Sequence, residues 1–186
     1  MGNKKLDEEL ISAVMWYSIE KTEELIKLGA NVNGRDDNGN TPLHYACWKG
    51  YIEKIQLLFK NKANINARNI DGDTPLHTAC QWGKNKVVKF LIKNNVNVDV
   101  INKQGNTPLY EACDIGAIDI VRILLERKPN VNVKNKENAT PLYRVSGYVY
   151  TEPLVRIIFS CINLLIPTQI KNKIKGISFH RPKYIF

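Results

Sequence analysis

Along residues 41–60 the apolar side chains fall in two short stripes. Leu43 and Ala46 stand three apart, Gly50 interrupts, and Ile52, Ile55, Leu58 and Phe59 follow with Lys and Glu on the other face. Spacings of three and four place side chains on one face of an α-helix, so the stretch predicts two short amphipathic helices joined at a glycine. The pattern returns with Leu76, Ala79 and Gly83, and again with Leu109, Ala112 and Gly116 ahead of Ile120, Val121, Leu124 and Leu125. Polar punctuation precedes each first helix. Gly39, Gly72 and Gly105 close a four-residue polar turn where positive φ suits glycine, and Asn138 takes that place in a fourth copy. Thr41, Thr74, Thr107 and Thr140 then suit helix N-caps, each followed by proline at the first helical position, where its missing N–H leaves no bond unmade.

The Thr-Pro-Leu starts are separated by a constant 33 residues. That period divides the chain into units 34–66, 67–99, 100–132 and a degenerate 133–165, with a half-matching N-terminal cap at 1–33 and a basic tail at 166–186. A single helix pair has too small a core to fold alone, so neighbours must stack and share an apolar seam. The expected architecture is an elongated all-α solenoid.

The recurring D/N-x-x-G-x-T-P-L-H/Y-x-A-C-x-x-G and the closing A-N-I-N or P-N-V-N resemble the ankyrin repeat, whose period and T-P-L-H-x-A core are matched here. The resemblance spans about residues 5–160 and implies stacked helix-turn-helix units with projecting β-turn loops. It implies that His44 and His77 bond near the start of their helices and tie adjacent hairpins together. It also implies a non-enzymatic module, without cofactor, that binds another protein along a concave strip of turn tips and first helices. The corresponding positions are Asp37, Asn38, Asn40, Trp48 and Lys49; Ile70, Asp71, Asp73, Gln81 and Trp82; and Lys103, Gln104, Asn106, Asp114 and Ile115. Tryptophan is enriched at binding hot spots, which singles out Trp48 and Trp82.

Departures from the family pattern carry information. The Gly-Ala that ends a second helix is kept at Gly29-Ala30 but becomes Lys62-Ala63, Asn95-Val96 and Lys128-Pro129. A lysine in the left-handed conformation at such a site costs roughly 1 kcal/mol, so these junctions are expected to be softer. In the fourth unit Val149 replaces the inter-helix glycine, Leu154 to Phe159 align only after an insertion, and no N-V-N turn follows. An apolar end needs either an irregular cap from residues 160–186 or a bound molecule, and the chain is expected to be monomeric unless that end self-associates.

Composition changes this picture little. With 44% hydrophobic and 24% charged residues the balance is that of a folded chain. The longest apolar run, Leu154 to Ile166, includes Arg156 and Asn163 and is shorter than the ~20 residues of a membrane span. Leu6 stands where myristoylation of Gly2 needs serine or threonine. No apolar stretch near Met1 forms a signal core, so the four cysteines are expected to be reduced and the protein cytoplasmic. Export into a host cell is the alternative suggested by composition and family analogy. Asn, Lys and Ile make up a third of the chain, a bias attributed to an AT-rich coding sequence.

Charge is uneven: residues 1–133 hold 18 cations against 16 anions, or +2, and residues 134–186 hold 9 against 2, or +7. Lys171, Lys173, Lys175, Arg181 and Lys183 interleave with Phe179, Tyr184 and Phe186, the ingredients of attachment to nucleic acid or an anionic membrane, and this is the alternative function. His44, Cys47, His77 and Cys80 have the chemistry of zinc ligands, but their pairs are separated by one repeat. Stacked units sit ~8–10 Å apart, too far for one tetrahedral site. Cys47, Cys80 and Cys113 read instead as small core residues, too distant from one another for disulfides. The adjacent carboxylates Asp36 and Asp37, and Asp71 and Asp73, read as solvated turn-tip charges. No nucleophile–base constellation stands apart from the repeats.

Overall fold

A computed structural model describes residues 4–146. Among the described residues all regular structure is helical: α1 (Lys4–Trp16), α2 (Ile19–Lys27), α3 (Pro42–Lys49), α4 (Ile52–Lys60), α5 (Pro75–Gln81), α6 (Asn85–Lys93), α7 (Pro108–Asp114), α8 (Ile118–Leu125) and α9 (Pro141–Ser146). The sequence readings at Val149, Leu154 to Phe159, Cys161 and the basic tail lie outside the described residues. Among the described residues no helix is long and apolar enough to cross a membrane.

The predicted punctuation operates as local chemistry demands. Thr41, Thr74 and Thr107 are extended, and the following proline opens each helix. The Thr107 hydroxyl accepts from the Tyr110 N–H at 3.1 Å. Gly50, Gly83 and Gly116, just beyond α3, α5 and α7, all have positive φ, at 84°, 65° and 67°.

Helices α1, α3, α5, α7 and α9 pack in chain order as an inner row, with α2 against α4 and α6 against α8 in an outer row. Leu10, Leu43, Leu76 and Leu109 of the inner row meet Ile55, Leu58, Leu91, Ile120 and Leu124 of the outer row in one continuous core. Each such side chain contributes about 1.5–3 kcal/mol on burial. Ala46, Ala79 and Ala112 have no exposed surface, and their small side chains let adjacent inner helices approach closely.

The hairpin loops form their own ladder. Asp36, Asn69, Asn102 and Asn135 each accept, through Oδ1, from backbone N–H groups two and four residues on, which closes the turn. Neighbouring loops are joined by Ile70 N–H to Asn38 O at 3.0 Å, Lys103 N–H to Asp71 O at 2.8 Å and Lys136 N–H to Gln104 O at 2.9 Å. The Asn69, Asn102 and Asn135 amides also donate to Asn40, Asp73 and Asn106 of the preceding loop. Much of the asparagine excess thus has a structural use, because an amide both donates and accepts where a carboxylate only accepts.

Three residues with side chains take the left-handed conformation that ends a second helix: Lys62 at φ 65°, Asn95 at 56° and Lys128 at 51°. One sequence reading is corrected. Lys54, read as part of the polar face of α4, is buried, and its ammonium donates to the carbonyls of Ala13 at 3.0 Å, Val14 at 2.8 Å and Tyr17 at 2.6 Å. Ala13 O also accepts from the Tyr17 N–H at 3.1 Å, and at this C-terminal end of α1 the cation adds a donor to the last carbonyls and complements the helix dipole.

Candidate protein-interaction face

Two histidines brace the strip from beneath. His44 Nδ1 accepts from the Thr41 N–H at 3.1 Å, so the proton is on Nε2, which donates to Asp73 O at 3.1 Å in the next loop. His77 repeats the arrangement, with Thr74 N–H at 3.2 Å and Asn106 O at 3.1 Å. The neutral tautomer uses both ring nitrogens, which leaves neither histidine a lone pair for a metal ion. Burial pushes both pKa values below the usual histidine range. The buried thiols of Cys47, Cys80 and Cys113 are shifted upward by the same cause, Cys113 to about 12, so they stay protonated and inert.

On this frame the inner helices present their C-terminal turns side by side. Trp48 of α3 meets Trp82, which follows α5, edge to face at 5.6 Å between ring centroids, and Tyr45 meets Trp48 at 6.2 Å. The Lys49 ammonium lies 4.2 Å from the Trp16 ring centre and 4.3 Å from that of Trp48, bridging the two indoles. Trp16 is 65% exposed and Trp82 54% exposed. The aromatic row therefore runs across three inner-row elements from α1 to the end of α5, with Ile115 continuing it, 45% exposed. An open hollow of about 270 Å³ lies beside it, between the Tyr45, Trp48 and Trp82 rings and the polar side chains of Asn69, Asp73 and Gln81.

The fifteen sequence-predicted positions divide by environment. Asp37, Asn38, Asp71, Lys103 and Gln104 are exposed at the hairpin tips, as are Ile70 and the two side chains Trp82 and Ile115 at the helix ends. Asn40, Trp48, Lys49, Gln81, Asn106 and Asp114 are half-buried. Asn40 and Asn106 belong to the loop ladder, and Asp114 pairs with Arg144 of α9.

Asp73 corrects the reading of it as a solvated tip charge. Its side chain is 9% exposed and accepts from Asn102 at 2.9 Å and Gln81 at 3.3 Å, because its position in the hairpin turns it toward the next unit. Glu111 is also buried and accepts from Asn102 at 3.2 Å and Asn106 at 2.9 Å. Its burial raises its pKa, and the neighbouring Asp73 charge adds to the shift while the Asn106 hydrogen bond opposes it.

Sequence reasoning missed Trp16, Tyr45 and Glu111. Tyr45 and Glu111 occupy one repeat position, immediately after the His44 and Tyr110 positions, and that register could have found them. Trp16 lies in the half-matching first unit, where no repeat register assigned it to the strip.

Two family models match the chain. One, ankyrin repeats (many copies), covers residues 25–79, and the other, ankyrin repeats (3 copies), covers residues 63–135. No curated protein matches it. Together the two models span residues 25–135, or 135 − 25 + 1 = 111 of the 186 residues, the stretch in which the helix pairs, threonine caps and hairpin ladder recur. The chain belongs to the ankyrin-repeat family.

Proposed function

We propose that this protein is a non-enzymatic module that recognises a partner protein along the strip formed by its hairpin tips and inner helices. Ankyrin repeats generally serve as protein–protein interaction modules. The observation that carries the reading here is the aromatic row: Trp16 and Trp82 are each more than half exposed, yet Trp82 packs edge to face on Trp48 and Trp16 lies against the Lys49 ammonium. Rigid indoles held at a surface lose little conformational entropy on binding and cluster at interface hot spots. Histidine bridges and the loop ladder hold the row on a stiff frame, which lowers the cost of ordering it further.

The test is a double substitution, Trp48→Ala with Trp82→Ala, assayed against a partner captured from the source cell. Helical circular dichroism should be unchanged and partner affinity should fall at least about a hundredfold, the sum of two hot-spot truncations at ~1.4 kcal/mol or more each. Retained affinity in a folded double variant would remove the face from consideration.

A further inference from the structure

We infer that the hollow beside Trp48 and Trp82 is a receptor for a cationic side chain, an arginine in a basic segment of the partner. The inference rests on the concave-face reading above and specifies the chemistry of what is bound there.

Three features of the site converge. At about 270 Å³ the hollow is smaller than the ~300–1,000 Å³ typical of small-molecule sites, and it is open, so it suits a side chain entering from above. Its walls are the π-rich faces and edges of Tyr45, Trp48 and Trp82, to which a planar guanidinium stacks. The same indole row already holds a cation, since Lys49 sits between Trp16 and Trp48 at 4.2 and 4.3 Å.

The floor supplies one carboxylate. Of the residues that line the hollow, Asp73 is the acidic one, and it accepts from Asn102 and Gln81. Both are neutral donors. Among the described residues no lysine or arginine makes an ion pair with Asp73. Its more loosely held oxygen is Oδ2, whose Gln81 donor is 3.3 Å away and belongs to a side chain that lines the hollow. A guanidinium displacing that amide gains a charge-assisted bond in a partly desolvated setting while its flat face rests on the indoles.

The full chain contains three tryptophans, Trp16, Trp48 and Trp82, and all lie on this strip, so tryptophan emission reports on the face alone. The probe is a capped peptide, Gly-Ser-Leu-Arg-Leu-Ser-Gly, titrated into the full-length protein, beside the same peptide with citrulline in place of arginine. Citrulline keeps the planar shape and loses the charge. The arginine peptide should give a saturable emission change, and the citrulline peptide should bind at least about tenfold more weakly.

Two substitutions test the floor without removing a buried group. Asn40→Asp places at the first loop the carboxylate that Asp73 supplies at the next, and should tighten arginine-peptide binding about threefold or more. Gln81→Lys puts a competing ammonium in the hollow and should reduce binding at least about tenfold. Equal affinity for the arginine and citrulline peptides, no saturable change, or indifference to both substitutions would overturn the inference. If whole-partner binding is lost in the tryptophan double variant while the peptides fail these criteria, the concave face stands and the cation receptor falls. Whole-partner binding that survives the double variant sinks the parent reading whatever the peptides do.

Discussion

Replacing Lys62 with glycine should stabilise the protein although it removes a side chain. Lys62 follows α4 at φ 65°, where a side chain crowds its own carbonyl at a cost of roughly 1–2 kcal/mol that glycine does not incur. Against this, glycine loses about 0.4–1 kcal/mol more unfolded-state entropy. The net gain is about 0.5–1 kcal/mol. Little else changes, because the lysine is exposed and the bonds at the site use its backbone or its neighbour's and not its side chain: Lys62 N–H to Phe59 O at 3.0 Å, Ala63 N–H to Leu58 O at 3.0 Å, and Lys62 O accepting from the Asn33 side-chain Nδ2 at 3.2 Å. The reciprocal substitution isolates the backbone contribution. Gly29 ends α2 in the same way, at φ 94°, and a Cβ added there meets nothing within 4 Å, so Gly29→Lys should cost a similar amount from conformation alone. Asn95→Gly should change stability less, because asparagine tolerates the left-handed region. Urea unfolding followed by tryptophan emission measures all three, and Tm should move about 2–4 °C per kcal/mol in a chain of this size. If Lys62→Gly is destabilising and Gly29→Lys is harmless, the conformational reasoning is wrong.

The histidine bridges predict acid lability. The folded-state pKa values of His44 and His77 are depressed by burial, so the unfolded chain binds protons more tightly. Their contribution is fully present above the unfolded value of about 6.5 and is lost as pH falls through 6.5 toward the lowered folded values, at up to about 1.4 kcal/mol per pH unit for each ring. Glu111, whose pKa burial raises, acts in the opposite direction as it takes up a proton, so the comparison is best made in Glu111→Gln. In that background the urea midpoint should drop between pH 7.5 and 5.5, and His77→Tyr, matching Tyr110 of the next unit, should lessen the slope; a flat profile would refute the neutral-bridge assignment. Lys54→Met should cost about 2 kcal/mol by leaving three carbonyls at the end of α1 without their cation, and an unchanged melting temperature would show that water replaces it freely.

Local signals were readable along the chain because their causes are local. A threonine cap, the proline after it and the glycine that ends a helix each act within four residues, and the 33-residue period then multiplies one solved unit into a stack. The left-handed sites at Lys62, Asn95 and Lys128 were legible for the same reason, as departures from a glycine position. The candidate site was legible only as a strip of free positions. Asp71 and Asp73 look alike in sequence, yet Asp71 is exposed and Asp73 is buried against Asn102, 29 residues away. Lys54 looked like any lysine on the polar face of a helix until α1 brought three carbonyls to it across 37 to 41 residues. Trp16 had no register to assign it, and only the packing of α1 against α3 brings it over Lys49. By itself the sequence determined the scaffold, because helix starts, stops and apolar stripes are set by near neighbours. The tertiary structure decided which polar groups are buried, which indoles are exposed and what lies beneath them, because those outcomes depend on the residues that stacking brings from the next unit.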